Sequence, residues 1–426
     1  MKKPYRLLSA LVGVLLPVTW MLAGSRPLAA QASDHRAWLD PIARLARQIE
    51  RGEAHLEFRP GSGYLTSLLE RLDVGVDSQV LVFSKTSFQQ AFISPQNPRA
   101  IYFNDAVAVG TVPGGDVLEL TALDPVRGVA FYTLSAGKAE KPKFERRGVE
   151  CMFCHGPGNH GAPALVVASV FPDAEGLPAF TTNLFRGTDH RTPFNERWGG
   201  WYVTGTHGSQ RHLGNAIAPD PLRPVDLQEA DNQNLTTLAH KFDTTRYLTP
   251  FSDIVALMVL EHQSGMTNLI NSVSARYRRA ELQGFVGDAA WKTLDPAIEE
   301  LVTYMVFADE ARLEEPVQGT STFTTMFPQR GPRDARGRSL RDFDLRTRVF
   351  RYPLSYMIYS EIFDRMPSRV KERVYQRLYD VLTGHDSSGP FAAISSDARR
   401  AALDIVRNTK ANLPPFFWDD RPETAK

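Results

Sequence analysis

The spacing of hydrophobic residues changes several times along the chain. Apolar residues recur every three or four positions through 34–54, which predicts a helix, and 64–72 predicts a second, shorter one. Short segments rich in β-branched and aromatic residues follow, separated by turn sequences such as Pro113-Gly114-Gly115-Asp116. This alternation predicts an antiparallel sheet. Its expected strands are 80–83, 100–103, 107–112, 117–123 and 128–134.

The second half of the chain has mainly helical spacing. A helix is predicted over 252–277 with Ser252 as its cap, and another over 296–313. An Arg-rich segment, 316–351, has no such periodicity and is expected to be a loop. Further helices are predicted at 353–366, 368–383 and 396–411.

These patterns predict an α+β protein. We expect a small N-terminal antiparallel-sheet domain, an irregular middle segment rich in glycine, proline and aromatic residues, and a predominantly helical C-terminal part. No internal repeat is evident. The predicted division is a signal peptide at 1–32, the α+β domain at 33–145, the middle segment at 146–248, and the helical region at 249–426 with the Arg-rich loop 316–351.

The N-terminal residues predict export. Lys2, Lys3 and Arg6 precede an apolar run over 7–23, and Ala30-Gln31-Ala32 provides the small residues that a signal peptidase cleaves after. The alternative is an uncleaved N-terminal anchor, because the run is near the lower length limit for a span. No later stretch is apolar enough to cross a membrane. We therefore expect a periplasmic or secreted protein.

The charge balance excludes one class of partner. The whole chain carries a net charge of +1, and without the four basic residues of 1–32 this becomes −3. Nucleic-acid binding proteins show a basic excess, so no nucleic-acid partner is expected.

The only cysteines occur in Cys151-Met152-Phe153-Cys154-His155. C-x-x-C-H is the attachment signature of c-type haem: the two thiols form thioethers with the haem, and the adjacent imidazole binds the iron. Two alternatives remain open. One is a redox dithiol, although the Gly- and Pro-rich residues that follow cannot continue a helix. The other is a zinc site, which would need further ligands.

Residues 151–163 (CMFCHGPGNHGAP) resemble the haem-attachment loop of single-haem c-type cytochromes. The resemblance implies one covalent haem c on Cys151 and Cys154, with His155 as proximal iron ligand. The rest of the chain looks like large exported haem proteins to which no activity can be attached. There is no second C-x-x-C-H, which argues against the design of dihaem peroxidases.

The second axial ligand is harder to predict. Small cytochromes of this type use a downstream methionine, but no methionine occurs between Met152 and Met258. We prefer His207, since neighbouring glycines leave room for its ring. The alternatives are His212, His262 and Met258, and each of these residues also has the simpler interpretation of a packed or hydrogen-bonded side chain.

Three functions follow from these observations. The favoured one is electron transfer between the haem and a redox partner protein or a small-molecule donor or acceptor. The second is a haem enzyme, peroxidase-like or a small-molecule oxidoreductase, with an open or labile sixth iron site. The third is a haem-based sensor or interaction module. The arginines of 316–351 are expected either to pair with acidic residues or to hold haem propionates or an acidic partner.

Overall fold

A sheet of seven strands dominates the first half of the protein. The computed structural model describes residues 38–156, 161–178, 186–218, 230–285 and 287–419. The sheet order is β6-β5-β4-β3-β2-β1-β9, and all of its neighbouring strands are antiparallel. The strands are β1 Val80–Val82, β2 Arg99–Phe103, β3 Val107–Thr111, β4 Val117–Asp124, β5 Gly128–Ser135, β6 Phe144–Arg147, β7 Ala168–Ser169, β8 Arg186–Gly187, β9 Trp201–Tyr202, β10 Gly205–Thr206 and β11 Gln318–Gly319.

Most of the helical residues lie in the C-terminal half. Together with the antiparallel sheet, this confirms the predicted α+β class and the predicted order of a sheet followed by a helical part. Short 3₁₀ turns connect many of the elements. The helices are α1 Pro41–Glu50, α2 Leu65–Arg71, α3 Val149–His155, α4 Ile254–Leu282, α5 Asp288–Met305, α6 Phe323–Met326, α7 Glu361–Asp364, α8 Ser368–Thr383 and α9 Ser396–Thr409.

Both faces of the large sheet are covered. Because side chains alternate across a strand, Val80 and Phe131 point to one face and pack into the core that contains α4, α5 and α8. Leu81 and Tyr132 point to the other face and pack against α1 and α2. The sheet thus separates two hydrophobic cores, of which the one on the α4 side is larger.

Helix α4 is the central element of the larger core. Its cap is Asp253, whose carboxylate accepts hydrogen bonds from the amides of Val255 and Ala256, so the prediction of Ser252 was wrong. The Ser252 hydroxyl instead joins strands, accepting from Leu81 N at 2.8 Å and donating to Tyr202 O at 2.5 Å.

Other predicted helices differ at their ends. Helix α1 is capped by Asp40, and the first residues of the predicted helix 34–54 lie outside the described residues. Helix α5 starts before Pro296, which lies inside it. The predicted helix 353–366 is two short pieces, because Ser355 and Ser360 each accept a hydrogen bond from an amide two or three residues ahead and so start separate turns.

The large sheet crosses the predicted domain boundary at 145. Its edges are β6 and β9, and β9 comes from the predicted middle segment. The division into domains and the predicted signal peptide at 1–32 stay predictions, the latter outside the described residues. Within the part of the chain that the structure describes, no helix is long and apolar enough to cross a membrane.

Candidate functional site

The Cys-x-x-Cys-His residues form the C-terminal part of helix α3, which starts two residues after the edge strand β6. Cys151 and Cys154 are three residues apart on this helix, so their side chains lie on the same side. Cys151 is partly buried and Cys154 exposed, and neither forms a disulfide. The helix ends at His155, since Gly156 takes an extended conformation.

A cavity of about 480 Å³ lies beside both cysteines and His155. Its volume is in the range of small-molecule and cofactor sites. The remaining walls come from the loop 85–90 and from residues of β2, β4, β5 and β6. The lining residues are Lys85, Thr86, Ser87, Phe88, Gln90, Arg99, Glu119, Leu120, Thr121, Phe131, Tyr132, Thr133, Arg147, Glu150, Cys151, Phe153, Cys154 and His155.

The imidazole of His155 is oriented by a backbone group. Its Nδ1 lies 2.8 Å from the carbonyl oxygen of Ala164, and the ring of Phe131 packs beside it with 4.8 Å between centroids. Burial lowers the pKa of His155, which favours the neutral ring. Because a carbonyl only accepts, Nδ1 carries the proton and Nε2 keeps its lone pair. Metal-binding histidines have this arrangement, with the second ring nitrogen donating to a carbonyl or carboxylate.

The two thiols do not have the character of reactive cysteines. Burial raises the pKa of Cys151 to about 11, with Glu150 adding to the effect, and partial desolvation of the thiol also raises the pKa of Cys154, although that residue is exposed overall. Catalytic and redox dithiols instead have a lowered pKa, from nearby cations or a helix N-terminus. The electrostatics of α3 therefore give no support to the redox-dithiol alternative.

An ion pair forms part of the cavity wall. Arg99 Nη2 lies 2.6 Å from Glu119 Oε2, and both side chains are largely buried. The other oxygen of Glu119 accepts hydrogen bonds from Ser87 Oγ and Gln89 N, both at 3.1 Å. These contacts fix the Glu119 carboxylate, which lines the cavity together with Arg99 and Ser87.

Two of the predicted distal ligands lie together but away from this cavity. His207 has both ring nitrogens engaged: Nδ1 lies 2.9 Å from Gln210 O, and Nε2 accepts from Asn234 N at 3.1 Å. His212 packs 4.8 Å from the His207 ring, and its Nδ1 accepts from Gly214 N. Neither histidine lines the cavity.

The other two candidates belong to the interior of the helical part. His262 is fully buried, with Nδ1 2.8 Å from His190 Nδ1 and Nε2 2.7 Å from Ser355 Oγ. Met258 is buried in the core around α4. Neither lines the cavity. Of the predicted site residues, only Cys151, Cys154 and His155 line the cavity, and the second ligand stays a prediction.

Comparison with known proteins adds nothing to this geometry, since no family model, curated protein or solved structure matches the chain. In the described ranges, no group of three or more His, Cys, Asp or Glu side chains could hold a metal ion. The zinc alternative therefore has no support there.

The Arg-rich segment is held by acidic partners, as one of its two interpretations expected. Two of the pairs are within the segment, and the other four link it to the sheet domain, to α9 and to a residue near α5. None of its arginines lines the cavity. The pairs are Arg330–Asp77, Arg333–Asp342, Arg338–Asp334, Arg338–Asp404, Arg341–Asp105 and Arg348–Glu310.

Sequence reasoning missed Arg99 and Glu119. A signal was present for Glu119, because it alternates with Leu118 and Leu120 in a predicted strand and so had to lie on the face opposite to theirs. Arg99 comes just before a predicted strand, and nothing local indicated that it would pair with a residue two strands away.

Proposed function

We propose that this is an exported c-type haem protein that transfers electrons through one covalently attached haem. Cys151 and Cys154 would form the thioethers, and His155 would bind the iron on the proximal side. The observation that carries the proposal is the position and orientation of His155. Its ring lines a cofactor-sized cavity together with both thiols, and its Nδ1 proton is directed at Ala164 O. A haem bound there supplies an iron that exchanges one electron between its ferrous and ferric states.

The residues around the cavity suit this role. Phe131 packs against the imidazole, and the hydrogen bond to Ala164 fixes the ring and increases its basicity as a ligand. Phe153 is 88% exposed and Cys154 is also exposed, so the side of the cavity formed by α3, which carries the two cysteines, is open to solvent. A partner could therefore approach closely to that side, which outer-sphere electron transfer requires.

The proposal is tested by producing the full chain in a host that matures c-type cytochromes. We expect a haem-stained band in denaturing gels and an added mass of one haem. Cys151→Ala and Cys154→Ala should weaken or abolish the band. His155→Ala should retain covalent haem but change the absorption spectrum, because the thioethers remain while the proximal ligand is lost. A colourless wild-type protein without added mass would overturn the proposal.

A second candidate is a haem enzyme with an open or labile sixth iron site. A specific observation favours it: His207, His212, His262 and Met258 all lie outside the cavity, whereas an Arg–Glu pair lies on its wall. The ferric spectrum separates the two functions. A low-spin spectrum indifferent to cyanide supports an electron carrier, and a high-spin spectrum that changes with cyanide supports the enzyme.

A further inference from the structure

The guanidinium of Arg99 is fixed over the backbone of the neighbouring strand β3. It crosses Gly110, where an added Cβ would lie 2.6 Å from Arg99 Nη2 and 2.7 Å from its Nε. Glycine at this position therefore leaves the space that the side chain needs to reach Glu119 on the strand beyond.

Arg99 keeps hydrogen-bonding capacity that the protein does not use. A guanidinium has five N–H donors, and one of its terminal nitrogens pairs with Glu119. The Nε of Arg99 is buried and has no hydrogen-bond partner among the described residues. Glu119, by contrast, already accepts from Ser87, Gln89 and Arg99. The pair thus offers unused donors but little unused acceptor capacity.

The charge of the cavity also favours an anionic ligand. Its charged lining consists of three basic and two acidic side chains, a net charge of +1 with a neutral His155. Arg147, on the same wall, is paired with Glu145 at 2.8 Å and Glu150 at 3.6 Å. Arg99 is paired with Glu119 in the same way, so the net positive charge of the lining comes from Lys85 and suits the cavity to an anion.

We propose that Arg99, positioned by Glu119 and Gly110, binds an anionic oxygen group at the haem. This inference rests on the proposed function and specifies that the group bound beside the haem in the same cavity is an anion. Two sources share this chemistry: a carboxylate of the haem propionates, or a small anion that binds the iron. An arginine matches either one because its planar fork donates two parallel hydrogen bonds to such a group.

The experiment compares wild-type holoprotein with Arg99→Leu, Arg99→Lys and the control Arg147→Leu, which removes the other arginine of the cavity lining, also paired with carboxylates. Azide and fluoride affinities of the ferric protein test the iron-bound anion, and carbon monoxide affinity of the ferrous protein is the neutral reference. If the anion binds the iron, Arg99→Leu should weaken azide and fluoride at least tenfold and leave carbon monoxide unchanged.

If a propionate is the partner, the anion affinities should stay constant. Arg99→Leu should then shift the propionate bending bands in resonance Raman spectra, and Arg99→Lys should shift them less. Should Arg99→Leu accumulate poorly because Glu119 is left unpaired, Arg99→Leu combined with Glu119→Gln gives the same comparison without a buried lone charge.

The two proposals fail in different ways. Covalent haem with anion affinities and Raman bands in Arg99→Leu equal to those of Arg147→Leu would overturn the role of Arg99 and leave the haem protein intact. Absence of covalent haem from the wild type would overturn both.

Discussion

The Nδ1 atom of His155 and the carbonyl oxygen of Ala164 are 2.8 Å apart. The acceptor is held by its neighbour in the chain: Leu165 N donates to the side-chain oxygen of Asn268 at 2.7 Å, and Leu165 O accepts from the same amide at 2.8 Å. A side chain on the central helix α4 therefore fixes the backbone that orients the candidate iron ligand.

Asn268→Ala should loosen this arrangement. It removes two partly buried hydrogen bonds, and we expect a loss of about 1–3 kcal/mol in the free energy of unfolding, measured by urea denaturation. In the holoprotein the reduction potential should rise, since a weaker bond from Nδ1 makes the imidazole a poorer donor to ferric iron. Asn408→Ala is the control, because the hydrogen bond of Asn408 to its own helix is exposed. Equal stability of the two variants would contradict this prediction.

Gly110→Ala should destabilise the protein through Arg99. The new methyl group would overlap the guanidinium, and moving it breaks the pair with Glu119, at a cost of about 1–3 kcal/mol. In an Arg99→Ala background the same substitution should cost clearly less, which a double-mutant cycle measures. Gly137→Ala is the matched control, as its nearest contact would be an ordinary 3.6 Å. Additive effects in the cycle would show that the two residues do not interact.

Stability should fall in mild acid because of buried histidines. Burial places the pKa of His212 well below its usual value, so between pH 6.5 and that lower pKa the unfolded chain binds a proton that the folded protein does not. The free energy of unfolding then decreases by up to about 1.4 kcal/mol per pH unit as the pH falls below 6.5. His212→Gln should reduce this slope in urea titrations from pH 8 to 5. The control is His240→Gln, because His240 is exposed. An unchanged slope in His212→Gln would show that His212 does not cause the loss of stability in acid.

Replacing only one member of the buried ion pair Arg197–Glu261 should strongly destabilise the protein. The two side chains are 3.3 Å apart and almost completely buried. Arg197→Met leaves the carboxylate without its cation, and we expect a loss of about 3–5 kcal/mol in urea denaturation at pH 8. Adding Glu261→Gln to Arg197→Met should recover part of the lost stability, because it removes the unpaired carboxylate. For comparison, Arg400→Ala, which breaks an exposed pair with Asp397, should cost less than about 1 kcal/mol. Similar losses for both single variants would contradict this account.

The strands were predictable because their signals are local. Alternating residues and turn sequences placed the five predicted strands within one or two residues of β1–β5. Strand β9 was not predictable, since two residues have no periodicity and Trp201 forms a strand only by pairing with Val82.

The same distinction applies to the candidate site. Cys151, Cys154 and His155 lie within five consecutive residues, so one motif predicted them, and the structure places them on one cavity. The choice of His207 depended on how a loop folds back on itself. That loop uses both nitrogens of His207 for its own hydrogen bonds, which neighbouring glycines do not reveal.

The position of β9 has a consequence for biosynthesis. Strand β1 pairs on one side with β2, close in sequence, and on the other with β9, so the sheet is complete only after residue 202 has joined it. The cysteines lie within the intervening stretch. If the protein is exported N-terminus first and matured as proposed, Cys151 and Cys154 emerge before β9 can pair with β1, so haem would be attached before this edge of the sheet has formed.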